Sequence, residues 1–165
     1  MGKKTYESNH SNGWRNVGKF RKIRAFVRGI PKTSQTIKMI ITTWNIRGLN
    51  NRGKRRLLKE RPKRDMPNIM VVQETKISEQ KLEEIMNKFK LHYEIIGQDA
   101  IGTIGALAIL WNPEEIQFEE WVSVSRILSG KFRNIGSQEW VLLTGVYGPH
   151  IPGEHRTFLQ NLEKI

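Results

Sequence analysis

Two short, β-branched-rich runs, residues 39–44 and 69–72, are separated by a polar stretch of helical character, and this spacing constrains the fold more than anything else in the chain. Each run has strand length. The second, Ile69-Met70-Val71-Val72, is apolar throughout, as a strand buried on both faces must be. Asn50 and Asn51 are capping residues ahead of a basic helix predicted over 52–60, which Pro62 is expected to break or kink. Ser78 is a good N-cap for a second helix, with Ile77 and Leu82 placed as a hydrophobic staple. Leu82, Ile85, Met86 and Phe89 then form one helical stripe. Strands joined by helices call for parallel pairing with right-handed crossovers. The first half therefore reads as strand, helix, strand, helix.

The second half changes character. Residues 92–97, 104–111, 116–124, 127–133 and 139–147 all read as strands, divided by Gly102, Asn112-Pro113, Ser125 and the stretch 134–137. Short links favour antiparallel pairing. A last helix is predicted over 153–165, with Phe158, Leu159, Leu162 and Ile165 on or near one face. The fold class is α/β (α+β), a mixed sheet with flanking helices.

Charge divides the chain differently. Residues 1–38 hold 10 of the 28 basic residues and one of the 16 acidic ones. This segment reads as a basic leader ahead of a domain over 39–165. Within it, Phe20, Ile23, Val27 and Ile30 recur at helical spacing among Arg21, Lys22, Arg24 and Arg28, up to Pro31. A nucleic-acid arm, a membrane-surface helix, an organellar presequence and a simple leader all fit that pattern. The excess charge points to a polyanionic partner, because Lys and Arg displace counterions from phosphates. The leader is compatible with nucleus or organelle and with neither. Zero cysteines exclude disulfides and thiolate zinc sites. No apolar run approaches the roughly 20 residues of a membrane span.

Candidate chemistry sits at strand ends. Asn45 closes the first strand and Glu74 the next; if those strands are parallel neighbours, an amide and a carboxylate face one crevice, where open α/β sheets bind ligands. One carboxylate with hard oxygen neighbours suits Mg²⁺. A turn-forming Asn and an exposed Glu would look the same. Tyr147 closes the last strand before Gly148-Pro149 and faces either that crevice or a core edge. His150 is a general-base candidate or a loop residue; His10, His92 and His155 have nothing to recommend them. Arg52, Lys54, Arg55, Arg56, Lys59, Arg61, Lys63 and Arg64 crowd one stretch with Glu60 opposing. Phosphate contact or a solvated helix face accounts for them equally.

Four pieces, in order, resemble the endonuclease/exonuclease/phosphatase superfamily, that of pancreatic deoxyribonuclease, and within it the endonuclease domains of plant LINE-type (non-LTR) retrotransposons. They are Trp44-Asn45-Ile46-Arg47-Gly48-Leu49, Gln73-Glu74-Thr75-Lys76, Gly105-Ala106-Leu107-Ala108-Ile109-Leu110-Trp111 and Val146-Tyr147-Gly148-Pro149. Ala106 stands where a second Gly is usual. The resemblance covers 39–165 and implies a four-layer sandwich of two mixed sheets with outer helices. It implies Glu74 as principal Mg²⁺ ligand (Mn²⁺ as substitute) and Asn45 as its helper. Tyr147 would bond the scissile phosphate; apart from the resemblance, their charge makes Arg47, Arg52, Lys54, Arg55, Arg56 and Lys59 the candidates for DNA contact. The reaction would be metal-assisted hydrolysis of a phosphodiester by water. The superfamily's Gly-Asp-Phe/Trp-Asn and Ser-Asp-His motifs do not occur in this sequence. The expectation is therefore an N-terminal portion of the domain: an incomplete sandwich, weak or inactive alone, with a missing half-domain partner. Its strand edges and one sheet face would be bare. A basic nucleic-acid-binding remnant without chemistry is the alternative.

Overall fold

The computed structural model describes residues 20–27, 37–99, 106–149 and 152–163. The elements are β1 (Phe20–Val27), β2 (Ile37–Asn45), α1 (Arg52–Asp65), β3 (Ile69–Gln73), α2 (Glu79–Lys88), β4 (Glu94–Gln98), β5 (Leu107–Trp111), β6 (Ile116–Val124), β7 (Ile127–Asn134), β8 (Trp140–Val146), a short 3-10 turn (Pro152–Glu154) and α3 (His155–Leu162).

Five strands form one sheet in the order β1-β2-β3-β5-β4, and three form a second in the order β6-β7-β8. The pair β2–β3 is parallel, with Asn45 opposite Gln73; every other described pairing is antiparallel. The alternation of side chains along β3 and β5 builds two cores. Met70, Val72, Ala108 and Leu110 turn to one face, where Leu58 of α1 and Leu82, Ile85 and Met86 of α2 cover them. Ile69, Val71, Leu107, Ile109 and Trp111 turn to the other and meet Leu128 and Phe132 of β7 and Ile116 of β6. Two faces of burial explain why both strands are apolar at every position. Fully burying each Leu or Ile stabilises the fold by roughly 1.5–3 kcal/mol.

Several expectations change here. The inner face of the five-stranded sheet is not bare: the second half of the chain covers it, and Ile69 and Ile109 are 0% exposed. Exposed apolar side chains lie instead on the second sheet, at Val122 and Leu142, and on α3, at Leu159 and Leu162. No residue of α3 is buried, so its apolar stripe has no core partner among the described residues. The helical spacing at 20–30 is overridden. Residues 20–27 form a strand paired with β2, so the sheet begins inside the segment read as leader. The rest of that segment's expected features lie outside the described residues. Pro62 does not end α1, which runs on to Asp65. Proline's φ suits a helix; its cost is one lost bond to the Leu58 carbonyl. Burial of Pro62 offsets that cost, and its own carbonyl accepts the Met66 N–H at 2.9 Å in a left-handed cap. Both predicted N-caps are present: Asn51 accepts from Gly53 N–H and Ser78 from Lys81 N–H. Among the described residues no helix is long and apolar enough to cross a membrane.

Different side chains fill the space between the two sheets toward its two ends. Trp111 stacks on Phe118 at 4.6 Å and meets Phe132 edge-on at 5.5 Å, filling the gap at the amino end of β3. Toward its carboxyl end, Gly145 of β8 faces Val71; a Cβ there would lie 2.9 Å from Val71 Cγ1. Gln73 Nε2 then reaches across to the Val146 carbonyl at 2.7 Å. Gly145→Ala is therefore expected to destabilise the fold by about 1–3 kcal/mol through overpacking. In Gly145→Ala/Val71→Ala the combined loss should be smaller than the sum of the two single losses. Urea unfolding of the three variants measures both.

Candidate active site

The parallel β2–β3 ladder delivers two chain ends to one place. Beyond Asn45 and Gln73 the backbones stay zipped: Gly48 N–H donates to the Glu74 carbonyl at 2.6 Å and Leu49 N–H to the Thr75 carbonyl at 2.8 Å. Holding this shape requires left-handed backbone at three residues that are not glycine, Arg47 (φ 52°), Glu74 (φ 55°) and Lys76 (φ 55°). Each costs of order 1–3 kcal/mol, and such strain gathers at functional sites. Gly48, at φ 93°, sits where a Cβ would come within 3.3 Å of the Lys76 side chain, so a small residue is needed there on two counts.

Asn45 Nδ2 donates to Glu74 Oε1 at 2.6 Å. An ionised carboxylate only accepts, so the amide must turn its N–H₂ group to it. That leaves Asn45 Oδ1 buried without a hydrogen-bond partner. Buried acceptors are normally satisfied. A hard cation beside Glu74 would satisfy this one, because carboxylate and amide oxygens are both ligands that Mg²⁺ accepts, with water completing its shell. The residues present thus fit the implied ion, though no three His, Cys, Asp or Glu side chains gather among the described residues.

Tyr147 arrives from the other sheet. It is 8% exposed, and its N–H donates to the Arg126 carbonyl at 2.9 Å. Burial pushes its phenol up from the ordinary value, and the Glu74 carboxylate, to which its hydroxyl donates, pushes the same way; Arg126 opposes them. The phenol therefore keeps its proton through the neutral range. The three candidates named for chemistry, Asn45, Glu74 and Tyr147, meet in one constellation.

The basic candidates separate. Arg47 and Arg52 are exposed at the loop and at the start of α1. Lys54 Nζ donates to the Arg47 carbonyl and Arg55 Nε to the Leu49 carbonyl at 2.6 Å, so both hold the strained loop. Arg56 pairs with Glu60 at 2.7 Å, and Lys59 lies 5.8 Å from the Phe89 ring centroid. His92 and His155 are exposed, while His10 and His150 lie outside the described residues. Sequence reasoning missed Gln73 as the cross-sheet tie and Arg126 as the neighbour of Tyr147. The left-handed residues carried no signal either, because none of them is Gly, Asn or Asp.

Two outcomes follow. Millimolar Mg²⁺ should raise the melting temperature of the protein, and Glu74→Gln should abolish that rise, since a ligand of the folded state alone stabilises it. Differential scanning calorimetry with and without chelator measures this. Stability should also fall as pH climbs above about 10, where the unfolded phenol ionises and the folded Tyr147 does not. Burial pushes the Tyr93 phenol up as well, so Tyr147→Phe should lessen that fall without abolishing it in denaturation curves taken across the alkaline range.

No protein-family model and no curated protein matches the sequence. Solved structures match in shape. An endonuclease/exonuclease/phosphatase family protein from Bacteroides thetaiotaomicron aligns with a TM-score of 0.58 at 17% identity, over 79% of this chain and 58% of that one. An AP endonuclease from Archaeoglobus fulgidus gives 0.53 at 21% identity, over 75% and 48%. D. rerio TDP2 complexed with single strand DNA product gives 0.54 at 16% identity, over 74% and 52%. The chain spans between 48% and 58% of the length of these proteins. At such identities the likeness is one of architecture, and the fold of this chain is that of the endonuclease/exonuclease/phosphatase α/β sandwich.

Proposed function

We propose that this chain is the metal- and phosphate-binding portion of a Mg²⁺-dependent phosphodiesterase acting on nucleic acid, an endonuclease-like domain of retroelement origin. The observation that carries the reading is the meeting of Asn45, Glu74 and Tyr147 at the carboxyl ends of β2, β3 and β8. Solved structures of the same fold include an AP endonuclease and a complex with a single-stranded DNA product, which supports nucleic acid as the substrate class. The retroelement origin rests on the resemblance of the four sequence pieces to LINE-type endonuclease domains.

In this reading Glu74 and Asn45 hold the cation through one carboxylate and one amide oxygen. The ion, when bound, stabilises charge developing on the phosphoryl or leaving oxygen. Tyr147, protonated at neutral pH, would turn its one O–H from the Glu74 carboxylate to a phosphoryl oxygen when phosphate binds, and so orient the phosphate. Arg47 and Arg52 lie exposed beside this crevice and contact the flanking backbone phosphates. Among the described residues no three His, Cys, Asp or Glu side chains gather at this constellation. We expect the acid–base pair to come from polypeptide outside it, and turnover by these residues alone to be slow.

That same lack supports a second reading, binding of nucleic acid without hydrolysis. Nicking of supercoiled plasmid, with Mg²⁺ and with chelator, beside Glu74→Gln, separates the two. Hydrolysis requires nicking that needs both Mg²⁺ and Glu74. Nicking that ignores Glu74 sinks it. Salt-sensitive DNA binding that survives Glu74→Gln, with no nicking, leaves the binder.

A further inference from the structure

We propose that Arg126 and Glu154 form a positioning clamp for Tyr147, fixing the end of β8 so that the phenol faces Glu74. Arg126 sits in the turn between β6 and β7. Its side chain is 9% exposed, and Nη2 donates to Glu154 Oε2 at 2.6 Å. Its carbonyl accepts the Tyr147 N–H at 2.9 Å, and its guanidinium carbon lies 5.9 Å from the Tyr147 ring centroid. One residue thus touches Tyr147 through main chain and side chain at once.

Glu154 closes the short 3-10 turn downstream of Tyr147. The ion pair therefore draws the segment after β8 back onto the 125–126 turn. Packing does not do that work from the helix side, since no residue of α3 is buried. The segment's other described tie is a long contact, His155 Nε2 at 3.4 Å from the Pro149 carbonyl. Arg126 is the buried partner and Glu154 the half-exposed one, so removing Glu154 leaves a buried guanidinium without its carboxylate. Guanidinium geometry adds direction, because its planar fork fixes the carboxylate it binds. Neither residue belongs to the two apolar cores, so the pair is separable from the packing that folds the sandwich. Arg126 is thereby a positioning residue. Its place in function rests on the reading that Tyr147 meets the substrate phosphate.

The test uses the full chain labelled with ¹³C-tyrosine. Its three tyrosines are Tyr6, Tyr93 and Tyr147; Tyr147→Phe assigns one ring signal, and Tyr93 reports on the fold. Glu154→Gln and Arg126→Gln should each move the Tyr147 ring signal toward that of an exposed tyrosine while Tyr93 stays in place. The charge-reversed pair Arg126→Glu/Glu154→Arg should bring the signal back. A Tyr147 signal unmoved in Glu154→Gln, or displaced equally in the reversed pair, overturns the clamp. Should Arg126→Gln unfold, seen as loss of the Tyr93 signal, Glu154→Gln decides, because the Glu154 side chain is 43% exposed and tolerates an isosteric change. Plasmid nicking by Glu154→Gln should fall as far as in Tyr147→Phe. A moved ring signal in a chain that never nicks would overturn the hydrolytic reading and leave the clamp standing.

Discussion

Asn45 and Glu74 meet because β2 and β3 run parallel and stop at the same level, and most of the site follows from that ladder. A parallel pair needs a crossover, and α1 supplies it, with Leu58 buried against the sheet. The register that sets Asn45 opposite Gln73 leaves Glu74 as the next residue on the neighbouring strand. Glu74 lies one residue past the ladder, and its left-handed backbone (φ 55°), not strand alternation, turns its carboxylate to Asn45. The basic helix is thus the element that closes the crossover. Two of its cations, Lys54 and Arg55, are spent on carbonyls of the loop between β2 and α1.

Bringing the third member across is a problem of distance. Packed sheets normally lie about 10 Å apart. A tyrosine on one sheet reaches a carboxylate on the other only where that spacing closes. The aromatic cluster around Trp111 fills the space between the sheets at one end, and Gly145, with no Cβ, leaves room for Val71 toward the other. Gln73 then ties the two sheets directly. The crevice is in this sense a product of side-chain size: large residues at one end of the sandwich and hydrogen at the other. Burial, and then the neighbouring Glu74 carboxylate, keep the Tyr147 phenol neutral, and the neutral phenol is the form able to donate.

The strands of the sandwich were legible because burial on one or two faces writes a pattern into them. All of the strands predicted from 39 onward are present, as are both helix caps, and Asn45, Glu74 and Tyr147 could be named from their places at strand ends. What stayed hidden depends on long-range partners. The run 20–27 has apolar residues at helical spacing, yet Ile23, Ala25 and Val27 also recur at every second position, and the open edge of β2 decides between the two. Pro62 does not break the helix, because a proline's cost depends on whether its ring finds cover, which local sequence does not say. The inner sheet face was expected bare, since the chain lacks later motifs of the superfamily; three strands already within it do the covering. Arg126 left no trace because its partners, Tyr147 and Glu154, are 21 and 28 positions away.

The strain at the site bears on how far its function and its fold can be separated. Arg47, Glu74 and Lys76 all adopt left-handed backbone on two adjoining loops, and the hydrogen bonds from Gly48 and Leu49 hold them there. A fold optimised only for stability would place glycine or asparagine at such positions. A glutamate at φ 55° instead aims a carboxylate at Asn45, at the cost of stability that the rest of the ladder must supply. Asn45 adds a second such cost, a buried acceptor with no partner. Two local costs, on two strands, fall on the two residues that face each other at 2.6 Å. Packing alone has no use for that coincidence, whereas a cation held by Glu74 and the Asn45 amide oxygen would relieve one cost and make use of the other.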